Sequence, residues 1–287
     1  MIGPPDLVQA VRALTPDPPP WTRSPAGGAG PDAEFRLRRA AGAGDTVQVL
    51  RDETPLRPPA ARDAALALLV WAIHSAATER LGATHLLFHA GAVAAAGGGL
   101  LLPAPAGHGK TTLVAGLVAA GFGYAGDDIA VVDPATLALL PFAKSLAVKA
   151  GGRRVLAQRY PSLGAGRDGA DVRRLRAGGE TVWYLAPPAG SWPGRPVPVR
   201  YVVLPRYVPR ARTVLAPVAR SEALGRLLEQ SFGIGGRGGS GAPGVAAAVE
   251  LVRGAACYAL TGGRLATAVR ALADLTGAGE GAAATRR

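Results

Sequence analysis

The chain has 287 residues, 48% of them hydrophobic, which is enough for a substantial core and argues against a disordered polypeptide. Its formal net charge is +12, yet only three of the basic residues are lysines (Lys110, Lys144 and Lys149). The rest are arginines scattered through an Ala-, Gly- and Pro-rich sequence, with no aromatic-rich binding module beside them, so the charge is not read as a nucleic-acid footprint. The single cysteine, Cys257, excludes an intrachain disulfide and is expected to be buried. The N-terminus shows no basic segment followed by an apolar one, and no run reaches the roughly 20 apolar residues of a membrane span, so the expectation is a cytoplasmic protein with no membrane partner.

Taken in order, residues 1–59 read as an N-terminal arm, with a Pro/Gly-rich stretch at Pro16–Pro31 and two short strands at Glu34–Arg38 and Thr46–Arg51 around an Ala-Gly-Ala-Gly-Asp turn. Residues 60–276 read as the main unit and 277–287 as a disordered tail. Ala60–Leu81 predicts a helix that Gly82 can stop, with Trp71 in the core and His74 satisfied or half-exposed. His85–Ala96 predicts one continuous buried strand, followed by a Gly97–Gly99 turn and a strand at Leu100–Pro103. A helix over Lys110–Ala120 ends at Gly121 and Gly123, and strands follow at Ile129–Asp133, Ala138–Phe142 and Leu146–Lys149. Arg167–Arg176 reads as a solvated loop or short helix, and strands resume at Thr181–Leu185, Val199–Leu204 and Thr213–Pro217. Ser221 is the expected cap of a helix over Glu222–Phe232, ahead of a glycine loop at Gly233–Gly244. The end of the chain reads as a helix over Val245–Arg253, a strand at Ala256–Leu260 and a helix at Leu265–Leu275.

The segment Ala104-Pro105-Ala106-Gly107-His108-Gly109-Lys110-Thr111 lies between a strand and a helix. It fits G-x-x-x-x-G-K-[ST] except that Ala104 replaces the first glycine. Gly107 and Gly109 stand where backbone amides must approach phosphate oxygens closely, and the following helix adds the positive end of its dipole. Residues Ala106 to Thr112 are therefore read as a nucleotide cradle, with Lys110 reaching the β- and γ-phosphates and Thr111 ligating Mg²⁺. His108 takes no chemical role beyond its place in the loop.

One helix later, Asp127 and Asp128 stand at the mouth of an apolar strand, where neighbouring side chains point to opposite faces. One carboxylate can hold Mg²⁺ while the other accepts a hydroxyl proton. Asp128 is assigned to the metal with Thr111, and Asp127 to the base, although the two roles are interchangeable at this level. His89, in the preceding apolar strand, could orient an Asp or touch the γ-phosphate.

The order His89-Ala-Gly-Ala-Val, a Gly turn, the Ala104–Thr111 loop, one helix and Gly126-Asp127-Asp128 resembles HPr kinase/phosphorylase. The resemblance is specific over Leu86–Asp133. It is closer still to the HPr-kinase-like proteins of bacterial peptide-modification clusters, lasso-peptide kinases among them, and there covers most of residues 60–275. The residues that carry it are Trp71-Ala72-Ile73, Leu140-Pro141 with Lys144 and Lys149, Val202–Tyr207, Ser231-Phe232 and Cys257-Tyr258. The Arg-Gly-rich signature segment of true HPr kinases is not found, and residues 1–59 stand where their separate N-terminal domain would be, so whether HPr is the substrate and whether phosphorylase activity exists both stay open.

The fold expected is α/β: a mixed β-sheet with a P-loop and flanking helices, which the resemblance likens to the HPr kinase C-terminal domain and to PEP carboxykinase. The activity the resemblance implies is transfer of the ATP γ-phosphate, with Mg²⁺, to a Ser hydroxyl of a peptide or protein. Lys149 and Arg206 rank first among the cations (Lys144, Arg153, Arg154 are the others) that could neutralise transferred charge. Assembly into a homo-oligomer is a further expectation from the related kinases. Two alternatives stay open: a small-molecule kinase, and a non-catalytic ATP-binding partner of a modifying enzyme, which the alanines at Ala104 and Ala106 keep in view.

Overall fold

The structure, a computed structural model, describes residues 1–16, 33–40, 45–166, 168–169, 171–233 and 241–277. Most of the Pro16–Pro31 stretch, the tip of the first hairpin, the middle of the glycine loop and the tail beyond Gly277 lie outside the described residues.

Helix α1 (Pro5–Arg12) opens the chain, within residues 1–59, where only short strands were expected. A small antiparallel sheet follows, made of β1 (Phe35–Arg39), β2 (Thr46–Arg51), β3 (Thr54–Pro55) and β4 (Ala60–Ala61). Helix α2 (Arg62–Gly82) packs against it, and Leu7, Leu37, Val47, Leu66 and Leu69 share one core. The expected junction at 59/60 therefore falls inside this layer, between β3 and β4. Trp71 departs from its expected core position: it is 64% exposed, whereas His74, one turn on, is buried.

The main sheet begins with β5 (Leu86–Phe88) and β6 (Ala90–Ala95), two strands where one was expected. The break is at His89, whose backbone N–H donates to the Gln230 carbonyl at 2.6 Å instead of joining a ladder. After β7 (Gly98–Pro103), helix α3 (Lys110–Ala119) leads to β8 (Gly123–Gly126), which sequence patterning missed because Gly-Tyr-Ala-Gly lacks the β-branched residues that mark a strand. The next strands are β9 (Ala130–Val132), β10 (Ala138–Leu140) and β11 (Leu146–Val148), and helices α4 (Ala150–Leu156) and α5 (Pro161–Ala165) follow. β12 (Val172–Ala177) pairs along its whole length with β13 (Glu180–Leu185), so the stretch expected as a loop or short helix is strand from Val172 onward, with Arg173, Arg174 and Arg176 on a pleated surface.

β14 (Val197–Tyr207) is the longest strand. β15 (Val214–Pro217) leads to α6 (Arg220–Glu229), which Ala219 caps; Ser221 lies inside it and caps nothing. Helix α7 (Gly241–Gly254) takes in the last glycines of the expected loop. β16 (Ala256–Gly262) and α8 (Leu265–Thr276) complete the chain.

The strands order as β5-β9-β10-β14-β7-β6-β8, with β16 and β15 joined through β14, in one mixed nine-stranded sheet. β14 runs parallel to both β7 and β16 and antiparallel to β10. Alternate residues of its strands enter different cores: Leu100, Leu102 and Val203 face α3, α8 and the β11-β13-β12 sheet, while Leu101 and Val202 face α6 and α7. Burial on both faces explains why these strands read as continuous apolar runs. Among the described residues, no helix is long and apolar enough to cross a membrane.

The β8-to-β9 connection is so tight that only glycine fits its first position: a Cβ on Gly126 would stand 2.3 Å from the Ile129 carbonyl oxygen. Gly126→Ala is expected to lose at least about 2 kcal/mol of stability, because backbone rather than a flexible side chain must move. Gly225→Ala, on α6 with open space around it, should instead gain up to about 1 kcal/mol. Thermal melting of the two variants checks both signs; an unchanged melting temperature for Gly126→Ala would remove the constraint.

Candidate functional site

Four segments converge at one end of the main sheet. The first is the turn from β7 into α3. Gly107 and Gly109 adopt φ of +84° and +83°, the left-handed region that side chains disfavour, and a Cβ on Gly107 would meet nothing but open space. This leaves the Ala106–Gly109 segment facing a cavity of about 540 Å³ lined by Gly107, Lys110, Thr111, Lys149, Arg206 and Arg264, among others. Lys110 is buried and donates to the carbonyls of Ala104 (2.6 Å) and Pro105 (3.1 Å), so its ammonium is held beneath the turn. Burial lowers its pKa, against the pull of Asp128 and Asp127.

The second segment is the Gly126–Ile129 turn, which splits its two carboxylates between different environments. Asp127 is fully buried. Its Oδ1 accepts from Thr111 Oγ1 at 3.0 Å, and its Oδ2 has no hydrogen-bond partner among the described residues. Asp128 sits at φ +65°, a conformation Asp tolerates better than most residues, and its side chain is 37% exposed. That strain turns its carboxylate away from Asp127's pocket and out to the cavity mouth.

One further cation, Lys144, and a histidine, His89, complete the cluster. Lys144, from the β10–β11 connection, is buried and donates to Asp128 Oδ2 and to the Asp127 carbonyl, each at 3.2 Å; its Nζ lies 3.8 Å from Asp127 Oδ2. Its own carbonyl accepts from the buried Tyr124 hydroxyl at 2.7 Å, which fixes the connection to β8. His89, at the β5/β6 break, places Nε2 3.7 Å from Asp128 Oδ1, and its Nδ1 hydrogen-bonds Gln230 Oε1 at 3.1 Å.

The electrostatics separate the two acids. Burial and the neighbouring Asp128 carboxylate push the Asp127 pKa up to about 6, against Lys144 and the Thr111 hydroxyl. Burial would also raise Asp128, but the His89 imidazole and the Lys144 and Lys110 ammonium groups outweigh it and hold that carboxyl well below its ordinary value. Lys144 is itself raised: burial lowers it, and Asp127 and Asp128 more than compensate.

The expected site residues therefore assemble, with one exchange. Thr111 pairs with Asp127, not with Asp128, and it is Asp128 rather than Asp127 that lines the cavity. Lys149 and Arg206 both line it as well, Lys149 in an exposed ion pair with Glu180 at 3.0 Å. Lys144, ranked below them from sequence, proves to be the cation in contact with both acids. Gln230 and Arg264 were not anticipated; only the fold brings them to the site, and neither sits in a motif.

A nucleotide–Mg²⁺ pair fits these residues. The positive-φ glycines leave room for phosphate oxygens where a Cβ would intrude, and the Asp127 Oδ2, which accepts no hydrogen bond among the described residues and has Lys144 Nζ at 3.8 Å, is an oxygen suited to a metal or its water. Among the described residues no group of three or more His, Cys, Asp or Glu could hold a metal alone. Mg²⁺ rarely uses such a cage; it is held by one or two protein oxygens together with substrate phosphates. No protein-family model and no curated protein sequence matches the chain.

The Asp127 pKa of about 6 lies above its ordinary 3.8, so the folded protein holds an extra proton between those values. Ionisation therefore costs stability as pH rises through that window, and the full cost is present above it. In metal-free protein near neutral pH, Asp127→Asn is expected to be more stable than the parent, by on the order of 2 kcal/mol. Below the ordinary carboxylate pKa the two should converge. Denaturant titration at both pH values measures this, and equal stability at neutral pH would contradict the burial argument.

Proposed function

We propose that the chain is an ATP-dependent kinase of HPr-kinase-like type that transfers the γ-phosphate to a hydroxyl, foremost Ser, of a peptide or protein. The observation that carries this reading is the division of labour at Gly126–Ile129. One acid is buried against the Thr that follows Lys110, and its neighbour is turned to the cavity mouth between a lysine and a histidine. An ATP-binding module without chemistry would gain nothing from the second arrangement. The resemblance over Leu86–Asp133 supports the same reading from the sequence side.

In this reading the amides of the Ala106–Gly109 backbone, the α3 N-terminus and Lys110 hold the phosphates. Thr111 and Asp127 would hold Mg²⁺, directly or through its water. When bound, Mg²⁺ neutralises charge on the β- and γ-phosphate oxygens. Asp128 is the group that faces the acceptor. Transfer forms a bond from the acceptor oxygen to the γ-phosphorus and breaks the bond to the bridging oxygen, which leaves with ADP; the hydroxyl proton passes to the Asp128 carboxylate. Held ionised by Lys144 and His89, it can orient the hydroxyl and take the proton late, when bonding to the leaving group is already loosened. Lys144 and His89 position that carboxylate, and Lys149 and Arg206 stand at the cavity to offset charge on the transferred group.

We place the protein in the cytoplasm, where ATP is available and where the lone, buried Cys257 meets no demand for a disulfide. The small-molecule alternative is disfavoured by the open outer side of the acceptor face, marked by the exposed Trp71 and Phe232.

Asp128→Asn is expected to lose phosphate transfer by about 10²-fold or more while keeping nucleotide affinity. Asp127→Asn should instead raise the Mg²⁺ concentration needed for half-maximal rate. Transfer to a Ser peptide, followed by mass at graded Mg²⁺, separates the two. Full turnover in Asp128→Asn would return the base role to Asp127 or dismiss it.

A further inference from the structure

A second cavity, of about 570 Å³, lies on the far side of the His89–Asp128 pair from the glycine-rich turn. Both of those residues, with Lys144 beside them, line it, so the two cavities meet at the proposed phosphate-transfer point. The kinase reading places an open acceptor face at its rim, at Trp71 and Phe232, but assigns no ligand to the space itself.

One of its walls is a single face of α2. Trp71, His74, Ser75 and Thr78 line it at i, i+3, i+4 and i+7, the spacing of one helical stripe. Within the apolar middle of the helix, Ala64–Ala77, this stripe brings in the polar side chains and an exposed aromatic ring. The opposite wall is the Glu229–Phe232 segment, which runs beside β5 through the bridge of Phe88 with Ser231. Phe232 is 42% exposed and meets the His89 ring edge-on, with centroids 6.3 Å apart.

Two observations point to a ligand here. His74 is only 9% exposed, yet its Nε2 has no hydrogen-bond partner among the described residues. Burial pushes its pKa down to about 4, with Lys144 acting in the same direction against Asp128, so near neutral pH the ring is uncharged and open to a neutral partner. Trp71 and Phe232, meanwhile, expose large apolar rings at the rim of one groove, where water gains nothing from them.

We propose that this groove is the acceptor subsite and takes a short extended peptide segment. Its hydroxyl-bearing residue reaches Asp128, and the adjacent aromatic or large apolar side chain packs on the rings of Trp71 and Phe232. The stripe from Trp71 to Thr78 spans about 10 Å of helix, the reach of about three extended residues. Its Ser75 and Thr78 hydroxyls, the His74 ring and the Gln230 amide offer polar partners along that length, which matches a peptide backbone better than a compact metabolite. The edge of β5 is already occupied by the Ser231 bridge, so recognition runs through side chains rather than by addition of a strand.

This inference rests on the kinase reading, and the experiment keeps the two apart. Mg-ATP turnover by the wild-type chain, with water as acceptor, reports the kinase reading by itself. Transfer is then measured to synthetic Ser-centred peptides that carry Phe, Ala or Glu beside the Ser. The expected result is a preference for the Phe peptide that Trp71→Ala and Phe232→Ala each weaken, raising its KM about tenfold or more with kcat near the parent value. Trp71→Phe, which keeps a ring, should restore most of it; that rescue separates a lost contact from a misfolded variant. Phosphorylation with unchanged KM in both alanine variants, or equal use of the Glu peptide, would overturn the acceptor groove and leave the kinase reading standing. Absence of any ATP turnover by the wild-type chain would remove the kinase reading, and the groove assignment with it.

Discussion

The candidate site depends on one backbone constraint: the close approach at Gly126–Ile129 that forces two adjacent aspartates into opposite surroundings. Two carboxylates side by side repel, and the chain resolves this by burying one and paying the other into a left-handed conformation at the surface. Lys144 then bridges them, with Nζ within 3.2 Å of Asp128 Oδ2 and 3.8 Å of Asp127 Oδ2. Each element of the surrounding fold serves that arrangement. Tyr124 anchors the Lys144 backbone, β7 delivers the glycine-rich turn, and the break between β5 and β6 turns His89 toward the open carboxylate.

The architecture explains why the site lies where it does. β14 runs parallel to β7 and β16 at the centre of the sheet, so the ends of three strands open onto one side. The turn after β7 and the Gly262–Arg264 turn after β16 both line the first cavity, together with the end of β14 at Pro205–Tyr207. Ligand sites outside the carboxyl ends of parallel strands are a general property of such sheets. The N-terminal layer reaches the site indirectly, by holding α2 so that its Trp71–Thr78 stripe faces the second cavity.

Much of this was legible in the residues, and the failures have physical causes. The glycine-rich turn, Lys110, Thr111 and the acidic pair were found because their spacing between a strand and a helix is local. The α/β class and most strands of the main sheet followed from apolar runs buried on both faces. Which aspartate meets Thr111 was not legible, since alternation along a strand fixes opposite faces but not which face is inside. Trp71 was misread because an aromatic on an apolar helix usually packs inward; the polar residues at positions 74, 75 and 78 were the signal that this stripe lines a groove. The strand at 172–177 was hidden by its arginines, and β8 by its glycines.

The central claim is that the open aspartate directs phosphate from nucleotide to a hydroxyl acceptor. It is tested most directly by incubating the protein and a Ser peptide with Mg-ATP labelled with ¹⁸O on the γ-phosphate, followed by mass analysis of the intact peptide. The account predicts a labelled phosphate on the peptide with the parent chain and none with Asp128→Asn. A peptide that gains no phosphate from the parent, together with ATP binding that survives Lys110→Ala, would contradict it.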